Sequence, residues 1–270
     1  MTDIPGEFLE RLKDVLGTGN VLTDPADRWP YGQDNSRKHH APDVVAFATT
    51  HVQVLETMRL CNQYDVPLVA RGRGTGTTGS AIPIRGGLVL SLERMDRIVG
   101  MDAANRVMRV EPGVINQAIQ DEAAKHGFFW PPDPTSAGYC TVGGNIALNA
   151  AGPRALKYGT TRENVLGLVA VTGKGEEIHT GTYTTKGVVG YDLTRLIIGS
   201  EGTLAIVTEA TLKLTPLPES RRTLQAVYGN VRAAAAAVSR IMSQPITPCA
   251  LEFVDAAAIE MIRDYSKAEL

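Results

Sequence analysis

Cysteine is scarce in this chain of 270 residues: Cys61, Cys140 and Cys249 are odd in number, far apart and without C-x-x-C spacing. That pattern excludes a disulfide framework and offers no iron–sulfur or zinc motif. Each is expected to be a small packing residue. An excess of one charge is also lacking. A formal net charge of -2, with no long run of like charges, gives no electrostatic footprint for nucleic acid or for an anionic membrane surface. No apolar run is long enough for a transmembrane segment, and the N-terminal MTDIPGEFLERL is acidic where a signal peptide is basic. A soluble, cytoplasmic chain is expected. Of the five histidines, His39 and His40 are adjacent and His51, His126 and His179 stand alone. None has the spacing of a metal pair on one helix face, so surface or capping roles are expected and no metal site. The hydrophobic share, 43%, is ordinary for a folded protein, and the length suits one large or two ordinary domains.

Glycine, by contrast, is concentrated in one place. Residues 69–80, VARGRGTGTTGS, hold four glycines and two arginines. Gly74, Gly76 and Gly79 give the G-x-G-x-x-G spacing of a dinucleotide fold, and residues 74–80 are one lysine short of a P-loop. The dinucleotide reading needs a helix starting at the third glycine, whose N-terminal amides meet the pyrophosphate. The chain instead continues with SAIPIRGG, which has Pro83 and a glycine pair in place of a helix interior. Asp96 lies about twenty residues beyond Gly76, but an acid at roughly that distance is common. The remaining reading is a loop whose own successive amides curl into an anion-binding nest. Arg71 and Arg73 are expected to add charge.

Around the loop the chain reads as mixed α and β. Residues 43–49 form a strand, Thr50 and Gln53 a capping box, and Val54, Leu55, Met58 and Cys61 one face of the helix that comes next. Residues 66–70 are a buried strand running into the loop, which completes a β-α-β unit. Strand character recurs at 86–95, 96–102 and 106–112, then an amphipathic helix over 113–127 ends at Gly127. Residues 164–180 read as two strands around Gly173-Lys174-Gly175, and 202–214 as a long strand. Past Pro216 and Pro218, strands are expected over 221–230 and from 248, each followed by a helix. Phe128, Phe129 and Trp130 are equally a cofactor border or core. No internal repeat is present.

Three further motifs stand with the loop: PPDPTSAGYCTVGGNIALNAAG (131–152), YGTTRENVLGLVAVTGKG (158–175) and GYDLTRLIIGSEGTLAIVTEATLKL (190–214). In order and spacing, these and RGRGTGTTG resemble the FAD-binding domain of the vanillyl-alcohol oxidase/p-cresol methylhydroxylase superfamily. The resemblance runs from about Tyr31 to Leu214 and points to the branch of glycolate oxidase and the D-lactate and D-2-hydroxyglutarate dehydrogenases. It implies an α+β fold: an FAD-binding domain of two α/β subdomains over residues 1–217, then the truncated start of an α+β cap domain over 218–270. By position it implies that Arg71, Gly72, Arg73, Gly74, Thr75, Gly76, Thr77 and Gly79 hold the FAD pyrophosphate. Pro132, Asp133, Ser136, Gly138, Gly143, Gly144, Asn145 and Asn149 would wrap the flavin, and Glu201, Gly202, Ile206 and Val207 would close over the adenine and ring system. Arg73 departs from the small residue usual in the family, and Ala205 stands where glycine is more frequent. No histidine lies between His51 and His126, so non-covalent FAD is expected.

The implied activity is transfer of hydride from a small 2-hydroxy acid to flavin N5, the cofactor carrying the chemistry. The histidine motif H-x-G-x-G-N-x-H of the branch's cap is absent, and no catalytic residue is assigned. Two alternatives share the cofactor. One is a non-redox flavoenzyme like alkylglycerone-phosphate synthase. The other is a flavin-binding subunit or inactive remnant, for which a partner subunit or oligomer supplies the missing cap.

Overall fold

The computed structural model describes residues 4–266. Helix α1 (Gly6–Leu16) buries Phe8, Leu12 and Leu16, spaced one helical turn apart, as a single stripe. After β1 (Val21–Leu22) comes α2 (Pro25–Arg28), whose cap Asp24 accepts from the Ala26 amide. Strand β2 (Val44–Phe47) is buried at every position, as a strand covered on both faces must be. Thr50 caps α3 (His51–Tyr64) by accepting from Gln53 N; the Gln53 side chain reaches back to Thr49 N, one residue short of the expected capping box. Strand β3 (Leu68–Arg71) leads into the glycine loop, and β4 (Leu88–Ser91) lies beyond it. Among the described residues the sheet order is β1-β2-β4-β3. The last three run parallel, and β1 is antiparallel to β2. The expected β-α-β unit is therefore present with β4 inserted between its strands. The glycine loop leaves the C-terminal end of β3, the end at which parallel sheets present their ligand-binding loops.

The second layer begins with β5 (Ile98–Asp102) and β6 (Val107–Val110). Helix α4 (Asn116–Ala124), β7 (Phe128–Phe129), α5 (Val142–Leu148) and α6 (Ala155–Tyr158) then cross over to the hairpin β8 (Val165–Thr172) and β9 (Glu177–Gly181). Helix α7 (Leu193–Ile197) precedes the long β10 (Ala205–Lys213), and β11 (Thr215–Pro216) pairs with β7. The antiparallel order is β5-β6-β10-β8-β9. Its core gathers Met108, Ile119, Trp130, Ile146, Leu168 and Leu212. Trp130 is fully buried and its indole N–H donates to Asn164 O at 2.9 Å, so that residue belongs to the core.

The two layers are fastened together. Val171 and Ile206 of the second sheet sit in the core of the first, beside Val54, Met58 and Leu90. From α3, Arg59 Nε donates to Gly175 O at 3.0 Å and Asn62 Nδ2 to Gly173 O at 2.9 Å, while His51 Nδ1 meets Thr208 Oγ1 at 2.8 Å. A cleft lies between the two sheets so joined, bordered by the end of the edge strand β3 and by the start of β10, the central strand of the second sheet.

Beyond Leu217, α8 (Val231–Met242) is capped by Asn230, which accepts from Ala233 N, and α9 (Ala256–Ser266) comes last. The strands expected over 221–230 and from 248 are not formed. The side-chain pattern is there, but a strand takes its hydrogen bonds from a neighbour. Among the described residues none pairs with either segment, and Leu224 and Val227 stand 94% and 90% exposed. No helix among the described residues is long and apolar enough to cross a membrane, and no cluster of three His, Cys, Asp or Glu side chains could hold a metal ion.

Candidate functional site

The cleft, about 380 Å³, is lined from three directions by the glycine loop, by α5 with the segment after it, and by the turn leading into β10. The loop keeps its shape through contacts on its far side. Arg71, 8% exposed, donates from Nη1 to Gln33 O at 2.7 Å, and its Nη2 lies 3.5 Å from Pro30 O. Asn35 N donates to Gly76 O at 2.9 Å and Asn35 Nδ2 to Thr75 O at 3.3 Å. Residues 30–35 thus form a strap that takes up the loop carbonyls of Thr75 and Gly76. Among the described residues, no protein group accepts from the backbone amides of residues 72–79. A row of such donors beside a cleft is a nest for a polyanion.

Arg71 therefore ties the loop to the strap, and it also lines the cleft, where the sequence pattern expects it to add charge. Burial lowers its pKa, and the nearby Glu93 and Asp34 carboxylates oppose that shift. Gly74 completes the arrangement. Its φ is +67°, and a Cβ there would lie 2.2 Å from Arg71 Nη2, so both conformation and space demand glycine. Arg73, half exposed, stands 3.9 Å from Glu93 Oε2, and Glu93 also accepts from Tyr31 O–H at 3.3 Å. Its charge is answered within the protein.

The opposite wall starts at Thr141, the cap of α5, which accepts from Gly144 N at 3.3 Å. Val142 N and Gly143 N are taken by Val114 O and Pro112 O. The end of this short helix thus has no spare amides among these, and its offering is a side chain. Asn145, 3% exposed, lines the cleft with a buried Nδ2 that has no hydrogen-bond partner. A buried amide donor without an acceptor is costly, and a ligand carbonyl or ring nitrogen would satisfy it. The third wall hangs on α5: Gly199 N donates to Ile146 O at 3.0 Å and Glu201 N to Ala147 O at 2.9 Å. Glu201 takes φ 54°, rare for a non-glycine residue, and its carboxylate accepts from Thr78 Oγ1 of the glycine loop at 3.2 Å. Leu92, Leu148, Ala205, Ile206 and Val207 supply an apolar floor.

Of the residues singled out from sequence, Arg71, Gly72, Arg73, Gly74, Thr75, Gly76, Thr77, Ser136, Gly143, Gly144, Asn145, Asn149, Glu201, Gly202, Ile206 and Val207 line the cleft. Gly79, Pro132, Asp133 and Gly138 do not. Pro132 O accepts from the buried Asn116 Nδ2 at 3.1 Å, and Asp133 pairs with Arg154 Nε at 3.1 Å. Those two anchor the Pro-Pro-Asp-Pro corner behind the wall. Burial raises the Asp133 carboxyl, against the bonds from Arg154. The sequence pattern did not mark Asp34, Thr78, Thr141, Leu148 and Ser200; Thr141 alone carried a signal, a threonine three residues before Gly144. Among the described residues the lining holds no histidine, tyrosine, lysine or cysteine, and its carboxylates are Asp34 and Glu201.

Comparison with known proteins agrees with this geometry. Residues 42–181 match the family of FAD binding domains, and residues 217–269 match the C-terminal domain of FAD linked oxidases. The chain is 43% identical over 268 residues to glycolate oxidase subunit GlcD of Bacillus subtilis, covering 99% of this chain and 57% of that protein. It is 39% identical over 262 residues to D-lactate dehydrogenase of Anaerostipes hadrus, covering 97% of this chain and 54% of the relative. The chain thus spans a little over half the length of these relatives. In fold it resembles an alkyldihydroxyacetonephosphate synthase structure, with TM-score 0.75 and 24% identity over 93% of this chain and 48% of the other.

Proposed function

This chain belongs to the family of FAD binding domains, and on that premise we propose that its cleft holds FAD without a covalent bond and serves the oxidation of a small 2-hydroxy acid. The row of unpaired amides over residues 72–79 is the observation that carries the reading. A diphosphate is the part of FAD that needs several donors in a row, each bond being charge-assisted. The orphaned Asn145 Nδ2 supplies a separate donor for a ring carbonyl or nitrogen, and Ile206, Val207 and Leu148 offer apolar contact for a flat heteroaromatic. The residues present fit the group. Bound there, FAD supplies a ring that accepts hydride.

The chain's own part is binding and orientation. Arg71 and the strap hold the loop amides in register before the cofactor arrives, so little ordering remains to be done at binding. Thr78 and Glu201 tie the loop to the turn before β10. The substrate class is taken from the relatives' names, glycolate oxidase subunit and D-lactate dehydrogenase, each an α-hydroxy acid enzyme. The division into a cofactor domain over 1–217 and the beginning of a cap over 218–270, and the cytoplasmic location, are parts of the same proposal.

The test is anaerobic mixing of the FAD-loaded chain with glycolate, D-lactate and D-2-hydroxyglutarate. Bleaching of the visible flavin band by one of them is the expected result. A band unchanged by all three rejects oxidation of these acids by this chain alone. A second reading, in which the chain works within an assembly, is favoured by the exposed apolar side chains Leu224, Val227, Ile246 and Phe253 beside segments that lack a strand partner. Under that reading the chain self-associates or captures a partner in solution; a strictly monomeric mass by light scattering, with full turnover, rejects it.

A further inference from the structure

Of the two carboxylates lining the cleft, Glu201 is already engaged by Thr78. Asp34 is not fully engaged. Its Oδ1 accepts from Ser36 N at 2.9 Å, which sets the turn of the strap, but its Oδ2 is buried with no hydrogen-bond partner. Asp34 borders the cleft and also a second, open cavity on the other side of the loop, shared with Tyr31, Arg37, Arg73 and Glu93. Its neighbour Asn35 bonds the carbonyls of Thr75 and Gly76. Asp34 therefore stands beside the loop and lines both volumes.

An ionised carboxylate only accepts, and a buried acceptor without a donor is unfavourable. The nearby Arg71 guanidinium is committed to Gln33 O and Pro30 O, although its charge still offsets that of Asp34. A neutral hydroxyl brought by a ligand is a donor that fits this acceptor. In a dinucleotide the donors that flank a diphosphate are sugar hydroxyls, on the adenosine ribose to one side and on the flavin's ribityl chain to the other. We propose that Asp34 accepts a hydrogen bond from a sugar hydroxyl adjoining the diphosphate, and so selects among phosphate-bearing ligands that the loop alone would hold alike. The assignment rests on the FAD reading above.

The experiment compares dissociation constants of FAD, FMN and ADP for the wild-type chain, Asp34→Ala and Asn35→Ala, by flavin fluorescence and calorimetry. Loss of one charge-assisted bond corresponds to about tenfold to a hundredfold weaker binding. Asp34→Ala is expected to weaken FAD by that factor together with one fragment only: ADP if the hydroxyl is the ribose's, FMN if it is the ribityl chain's. Asn35→Ala loosens the loop itself and is expected to weaken all three together. Asp34→Asn keeps the turn to Ser36 and replaces the ionised acceptor with a neutral amide; it should show the same selective pattern with a smaller loss, and it serves if the alanine variant does not fold. Unchanged or tighter binding in Asp34→Ala, the latter marking simple charge repulsion, overturns the assignment. So does an equal loss for all three ligands. Failure of the wild-type chain to take up FAD is seen before any variant is made, and it overturns the cofactor reading itself.

Discussion

Gly72 and Thr141 interlock across the cleft: a Cβ on Gly72 would stand 2.4 Å from Thr141 Oγ1, while the next nearest atom is 3.7 Å away. One hydroxyl therefore enforces glycine at the start of the loop, and the same hydroxyl caps α5. The loop of the first sheet and the helix of the second are thereby set at a fixed spacing.

Gly72→Ala should force the two walls apart, at a cost of about 1–3 kcal/mol typical of overpacking, and weaken FAD binding by about tenfold or more. Thr141→Ala alone should cost about 1 kcal/mol as a lost cap. The double variant should recover much of the FAD affinity lost in Gly72→Ala, because the clashing atom is gone. A cycle of the four proteins, read by FAD titration and thermal unfolding, checks this. Strict additivity would show that the two residues do not interlock.

Arg71→Lys tests the support beneath the loop. A lysine cannot reach two carbonyls with a planar fork, so the strap and the loop should separate while both sheets remain folded. FAD affinity should fall by about tenfold or more, and amide exchange should quicken at Asn35, whose N–H is bonded to Gly76 O, without change in β8 and β10. An unaltered affinity would place the loop's rigidity elsewhere.

The thiols give a prediction in pH. Burial pushes Cys61 up from its ordinary 9.0 to about 12, and burial raises Cys140 as well, whereas Cys249 is exposed. In the native protein at neutral pH a thiol reagent should modify Cys249 quickly and the other two only on unfolding. Above pH 9 the unfolded Cys61 loses its proton while the folded one keeps it. The stability contributed by this group is thus full below pH 9 and is lost as pH rises towards about 12, at up to about 1.4 kcal/mol per pH unit. Denaturant titrations of wild type and Cys61→Ala should diverge with that slope over that window. Parallel curves would contradict it.

Asn145→Ala should weaken FAD by about tenfold, because the side chain lines the cleft and, apart from its contact with Cys140, its buried Nδ2 makes no hydrogen bond. The apoprotein should lose no more stability than truncating one side chain entails, about 1–2 kcal/mol. Equal FAD affinity in the variant would mean that the donor faces no acceptor on the cofactor.

Much of this was legible in the sequence because the signals were local. The cap Thr50, the glycine loop after β3 and the lack of a helix around Pro83 each depend on neighbours in the chain. The bonds that tie Arg71 to the strap were not legible, because nothing local says that a segment about forty residues earlier offers its carbonyls. Thr141 carried the local signal of a cap, but its closeness to Gly72 depends on a contact between distant segments. Asp133 and Gly138 belong to a turn-rich segment of which only Pro134 and Ser136 line the cleft among residues 131–140. Glu201 in a left-handed conformation could not be foreseen, since glutamate is no turn residue. The strands over 221–230 and from 248 failed because propensity cannot provide a neighbour.

The most direct measurement is the visible absorption of the purified chain after incubation with FAD and removal of the excess, repeated on the supernatant of an acid precipitation. The account predicts flavin absorption in the protein fraction, all of it released by acid. A folded chain that stays colourless would contradict the claim that the amides of residues 72–79 form a cofactor cradle.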